Sequence, residues 1–282
     1  MGSRQCVRQL AVVLAMSVIA VAADQSKKEF KYSVGPQVSV TIQNEYGPVT
    51  VKPSNGNQVV VTAILHSDKV EVYQNQNGDR IELRSHVLSG ATPETGTVEY
   101  EVTAPVEARV TVHSTNGPLR AEQLRGELSF EGDTAPVDVR DVVTPHMHVN
   151  TLNGAITLTN VIGHVEVSSV GGDVTLNSVT GPLVSVTSTN GKIHYNGDFG
   201  VGGDYKLISH TGEIVATVPA DASLDVNAYS ARGEVENDFP LNPKSRMSFI
   251  PKGGRALLGT AGKATSSVFL RTFSGKIRLK KR

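Results

Sequence analysis

Glycine returns at nearly fixed intervals along the last two-thirds of this 282-residue chain, at Gly117, Gly126, Gly154, Gly163, Gly172, Gly181, Gly191, Gly212, Gly233, Gly254 and Gly275. The short steps are 9 or 10 residues and the last ones are 21. Nearly every one is followed by alternating apolar residues, as in Gly154-Ala-Ile-Thr-Leu158, Gly172-Asp-Val-Thr-Leu176 and Gly191-Lys-Ile-His-Tyr195. A turn plus a short half-buried strand, repeated, specifies a β-solenoid, because one coil cannot bury its apolar face until a neighbour stacks on it. The expected fold is therefore all-β: a single-stranded β-solenoid, or β-helix, of short parallel strands. Right-handed winding is expected from the preference of parallel crossovers.

The full coil reads as 18 to 19 residues early and 21 later. One corner column is predicted through Gly117, Ala135, Gly154, Gly172, Gly191, Gly212, Gly233, Gly254 and Gly275, with Ser or Thr recurring just before it. A second column runs through Gly126, approximately Pro145, Gly163 and Gly181, and then fades. The rung at Gly132 to Val137 is irregular, and either Gly132 or Ala135 can take its corner. Glycine at a corner is expected where the backbone needs positive φ. Ile156, Val174 and Ile193 should stack along the axis.

Residues 28–112 alternate strongly but lack the short glycine repeat. Turn dipeptides at Gly47-Pro48, Asn55-Gly56 and Asn77-Gly78 separate strand-like runs, and Ser89 to Gly96 reads as a loop. This region is predicted to be an N-terminal β-rich cap or sandwich-like unit, with a soft boundary to the solenoid of residues 113–282. At the other end, Lys276-Ile-Arg-Leu-Lys-Lys-Arg282 reads as a charged edge strand that blocks self-pairing; the alternative is a cationic contact for anionic lipid or polysaccharide.

The first 23 residues have the pattern of a signal peptide: Arg4 and Arg8, an apolar run from Leu10 to Val21, and small residues at Ala20-Val-Ala22 and Val21-Ala-Ala23. The run is shorter than a membrane-spanning helix needs. Cleavage would leave no transmembrane segment and would remove Cys6, the single cysteine. It also leaves 25 basic against 27 acidic residues, a net charge of −2. That balance gives no electrostatic footprint for nucleic acid. The expected location is the periplasm, the cell surface or the medium.

Val40-Thr-Ile-Gln-Asn-Glu-Tyr-Gly-Pro-Val-Thr-Val51, then Val98-Glu-Tyr-Glu-Val-Thr-Ala-Pro105, then Arg109-Val-Thr-Val-His-Ser-Thr-Asn-Gly117 resemble, in that order, the bacterial "putative adhesin" family of otherwise unknown function. The resemblance covers most of the mature chain. It implies an exported β-solenoid with a cell-surface role and supplies no catalytic residues.

Chemistry is sparse. Asp138, Arg140 and Asp141 sit close in sequence, but on a strand Asp138 and Asp141 point oppositely, and a two-carboxylate hydrolase needs its pair across a cleft. No Gly-x-Ser-x-Gly elbow and no phosphate-binding glycine loop occurs. His146 and His148 alternate on one strand, and His164 follows His146 by 18 residues, about one coil. Those three are the one metal constellation worth testing, and a further ligand would have to converge with them; the favoured reading is exposed surface histidines and no metal site. No cofactor is expected. Partners would be a cell-surface glycan or an envelope protein. The favoured reading is an exported, non-enzymatic structural or adhesive module, with a polysaccharide-binding or polysaccharide-degrading β-helix as the alternative.

Overall fold

A computed structural model describes residues 26–244 and 254–282; the predicted signal peptide lies outside them. The described residues form strands, turns and loops with no helix. One hydrogen-bonded sheet of 23 strands folds over into two faces. Each coil contributes one strand to each face, and the faces share one apolar core running from Tyr32 to Leu279.

Alternation explains the core. On the second face, Val49, Leu119, Val137, Ile156, Val174, Ile193, Ile214, Ile277 and Val235 are successive register partners. Ile156, Val174 and Ile193 thus stack as expected, each fully buried. The first face repeats this with Val112, Phe130, Val149, Val167, Val186, Leu207, Leu270 and Ala228. Near one corner the aromatic rings of Tyr195, Phe199 and Tyr205 fill the interior, the first two stacked 4.2 Å apart. The single O–H of Tyr195 is shared between the carbonyls of Val179 and Asp198, at 2.9 and 2.7 Å. Burial pushes this hydroxyl well above the usual phenol range.

The glycines differ from expectation in their reason. Gly117 and Gly163 do have positive φ, at 126° and 150°. Gly154, Gly172, Gly191, Gly212, Gly233 and Gly275 do not; a Cβ at any of them would meet the carbonyl oxygen of the corner one coil away at 1.9 to 2.1 Å. Close backbone stacking, not left-handed backbone, excludes side chains there. The left-handed requirement falls on a third corner, at Gln123, Asp141, Asn160 and Ser178, with φ of 53° to 57° and no glycine among them. The irregular rung keeps the column: Gly154 stacks on Ala135, so Ala135 holds the corner. The second column passes through Thr144 rather than Pro145, and continues past Gly181 to Gly203.

Three residues before each glycine of the first column lies a buried hydroxyl. Thr151, Ser169 and Ser188 donate to the carbonyls of Gly154, Gly172 and Gly191 at 2.8 to 2.9 Å. Ser209, Thr272 and Ser230 occupy the same row, and at its other end Asn44, register partner of Ser114, replaces the hydroxyl and donates to the Gly47 carbonyl. The irregular rung has Gly132 here, register partner of both Ser114 and Thr151. Ser114 Oγ is buried without a partner beside it.

Both ends depart from sequential stacking. Ser39–Tyr46 lies between Arg80–Val87 and Arg109–Asn116, and Val49–Ser54 lies between Val98–Pro105 and Leu119–Glu122. Parallel pairing thus runs across the boundary drawn near residue 112. Antiparallel strands Ser26–Ser33 and Gln58–Leu65 extend one face beyond Val98–Pro105, and Val70–Asn77 flanks the other. The hairpin to Arg80–Val87 turns at Gly78, where φ of 59° suits glycine.

At the far end Ser266–Thr272 and Ile277–Lys281 insert between the coil of Asp204–Ser209 and Ile214–Val218 and that of Leu224–Ser230 and Val235–Asn237. The corner order is therefore Gly212, Gly275, Gly233. Gly254 is not in the column; it has φ of 67°, and nothing lies within 4 Å of where its Cβ would be. The basic C-terminal strand is likewise no edge. It is paired on both sides, with Lys276 ion-paired to Glu234 and Glu236. Arg278 Nε lies 3.1 and 3.2 Å from Glu213 and Glu236, close enough for ion pairs although aligned as a hydrogen bond to neither.

Candidate functional site

Among the described residues no Asp, Glu, His, Lys or Arg is buried, so acid–base and metal chemistry is confined to the outward rows. His146 and His148 flank buried Met147 on the strand Val137–Thr151; His164 and Glu166 flank buried Val165 on Ile156–Ser169. Met147 pairs with Val165 and His148 with Glu166, so the four outward side chains form a two-by-two patch. A register irregularity between Thr144 and Met147 brings His146 level with His164. It is held by Thr144 Oγ1, which lies 2.8 Å from the carbonyls of Gly126 and His146 and accepts from the His146 N–H. The imidazoles of His146 and His164 meet edge to face, centroids 4.7 Å apart. One Glu166 oxygen lies 3.1 Å from His164 Nε2 and the other 3.9 Å from His148 Nδ1.

The structure thus gathers the three histidines singled out in the sequence. It adds Glu166, whose signal was its place 18 residues after His148. Among the described residues no three His, Cys, Asp or Glu groups already converge on one point as metal ligands.

The acids around Asp138 are committed to each other's neighbours. Asp138 accepts two hydrogen bonds from Arg140, at 2.9 and 2.7 Å, and this contact raises the guanidinium pKa. Asp141 sits at the left-handed corner and accepts from Asn160 Nδ2 at 2.9 Å. They do not face one another across a cleft.

Recesses on the outer surface are open. One of about 470 Å³ lies over the irregular rung, between Arg84, His113, Glu131 and Asp133. Another of about 320 Å³ runs between Thr187, Thr189, His210 and Phe273. There Phe273, 40% exposed, stacks on His210 with centroids 5.0 Å apart, and the Arg232 guanidinium lies 4.7 Å from its centroid. Sequence reading missed this aromatic patch because its members lie on coils made adjacent only by the C-terminal insertion.

Residues 38–280 match the family model described as Toastrack DUF4097. The chain belongs to this family. No curated protein is detectably similar in sequence. Among solved structures, the Toastrack chain is similar to a "putative adhesin" from Bacteroides fragilis NCTC 9343, at 12% identity and TM-score 0.49, covering 90% of this chain and 97% of that one. A protein described in the same words from Parabacteroides distasonis ATCC 8503 gives 12% identity, TM-score 0.49 and coverage of 91% and 98%. A "putative lipid binding protein" from the same strain gives 7% identity, TM-score 0.38 and coverage of 90% and 97%. Among the described residues of this chain, no helix is long and apolar enough to cross a membrane.

Proposed function

We propose that this Toastrack protein is an exported, non-enzymatic β-solenoid serving as a structural or adhesive module of the cell envelope or surface. One observation carries the reading. The core is apolar from Tyr32 to Leu279, while the acids named as catalytic candidates are tied to Arg140 and Asn160 on open outer faces. A hydrolase of this architecture needs two carboxylates held across a cleft. Export draws on Arg4, Arg8 and the apolar run before Ala22 and Ala23.

The test is to express the chain with its own leader in a bacterial host, fractionate the cells, and sequence the N-terminus. A form beginning after Ala22 or Ala23 in the envelope or medium is the expected result. A full-length product confined to the cytosol overturns the reading.

The second reading, polysaccharide binding, draws on the exposed cluster of His210, Phe273 and Arg232: His210 and Arg232 cover the two faces of the ring, leaving the ring edge with the imidazole and guanidinium donors to meet the hydroxyls of a sugar. A glycan array with the wild type and Phe273→Ala tests it. Glycan signals that vanish in the variant support this reading, and blank arrays for both proteins dismiss it.

A further inference from the structure

The geometry points to a divalent transition-metal site on the first face, formed by His146, His148 and His164 with Glu166. Three of the chain's eight histidines share one two-strand patch. Alternate residues of one strand project to the same side about 7 Å apart, and the neighbouring strand stands about 4.8 Å away. A His-x-His pair facing a His on the next strand therefore offers three imidazoles within reach of one ion. Three histidines with a fourth position for water or carboxylate is an established zinc coordination set.

The backbone part of this arrangement is built in. The register places His148 beside Glu166, and the irregularity after Thr144 places His146 beside His164. What remains is side-chain rotation. The patch is partly solvated, with the side chains of His148, His164 and Glu166 exposed by 38, 34 and 43%, so each ring can turn about χ1 and χ2 between rotamer wells. Glu166 already touches His164 and approaches His148. It can serve either as the fourth ligand or as the carboxylate that orients a ligating imidazole. The ligand class follows from the donors: imidazole with one carboxylate suits Zn²⁺, Cu²⁺ or Ni²⁺ and gives no oxygen cage for Ca²⁺ or Mg²⁺.

The experiment uses the chain without a polyhistidine tag, titrated with Zn²⁺ and, separately, Cu²⁺ in competition with a chromogenic chelator. One equivalent of tight uptake is expected. His146→Ala, His148→Ala and His164→Ala should each weaken it by about tenfold or more, the triple variant should abolish it, and His86→Ala should leave it unchanged. Uptake that survives the triple variant, or no uptake by the wild type, overturns the site. Imidazole NMR of the unsubstituted protein gives a readout that needs no variant. Zinc should shift the resonances of these three rings, and shifts confined to other histidines overturn the assignment.

Discussion

Gly172→Ala adds one carbon and tests why the corner column is glycine. Its Cβ would lie 2.0 Å from the Gly154 carbonyl oxygen and 2.5 Å from that carbonyl carbon, where ordinary contact begins at 3.4 Å. Both obstacles are backbone, so no rotamer change relieves the clash, and the two coils must part by more than an ångström. Overpacking of this kind costs about 1 to 3 kcal/mol. The separation also strains the flanking bonds between these two coils, from Ile156 N–H to the Asp173 carbonyl and from Gly171 N–H to the Leu152 carbonyl, now 2.9 and 2.7 Å, each worth about 1 kcal/mol. The expected loss is about 3 to 5 kcal/mol, a fall in melting temperature on the order of 10 °C. Asn, which tolerates left-handed backbone, should fare no better than Ala at this position. At Gly78, with φ of 59° and nothing within 4 Å of a Cβ, Asn should cost less than Ala. Gly56→Ala, with neither constraint, should change stability by less than about 1 kcal/mol. Thermal and urea denaturation of the set decide it. A Gly172→Ala protein as stable as Gly56→Ala would refute the stacking argument, and rescue of Gly172 by Asn would return the column to a positive-φ explanation.

Further outcomes follow from the same structure. Ser188→Ala removes the buried donor to the Gly191 carbonyl and should cost about 0.5 to 1.5 kcal/mol, whereas Ser114→Ala removes a buried hydroxyl without a partner and should be neutral or stabilising; urea denaturation compares them. Tyr195→Phe strips the hydroxyl from between two carbonyls and should cost about 1 to 3 kcal/mol by the same measurement. Ser178→Gly, at an exposed left-handed corner, should raise stability by about 0.5 to 1 kcal/mol, since relief of backbone strain exceeds the entropy glycine adds to the unfolded chain; a lower melting temperature would contradict it.

The coil itself was legible because alternation and glycine spacing are local, and both survive in Ile156, Val174 and Ile193. The reason for the glycines was not legible. Spacing alone cannot separate a corner that needs positive φ from one where a carbonyl lies where Cβ would go, and the left-handed corner is filled by Gln123, Asp141, Asn160 and Ser178. The order of coils at the ends was hidden too. Even steps of 21 residues through Gly212, Gly233, Gly254 and Gly275 read as neighbours in sequence order, yet Gly275 stacks between Gly212 and Gly233. That arrangement is set by which apolar faces remain uncovered, a property of the assembled stack. The histidine patch was half legible: its spacing pointed to His146, His148 and His164, while Glu166 emerges from the register of the two strands.

The order of the final coils is the most direct test of the stack as a whole. On the first face, register places Ser185 beside Lys206, Lys206 beside Phe269, and Phe269 beside Asn227. With Cys6 removed or replaced, paired cysteines at Lys206→Cys and Phe269→Cys should form a disulfide on mild oxidation of the folded protein. The pair Lys206→Cys and Asn227→Cys should not, because the inserted coil separates them. A disulfide from the second pair and none from the first would mean that the coils stack in sequence order, and the architecture described above would be wrong.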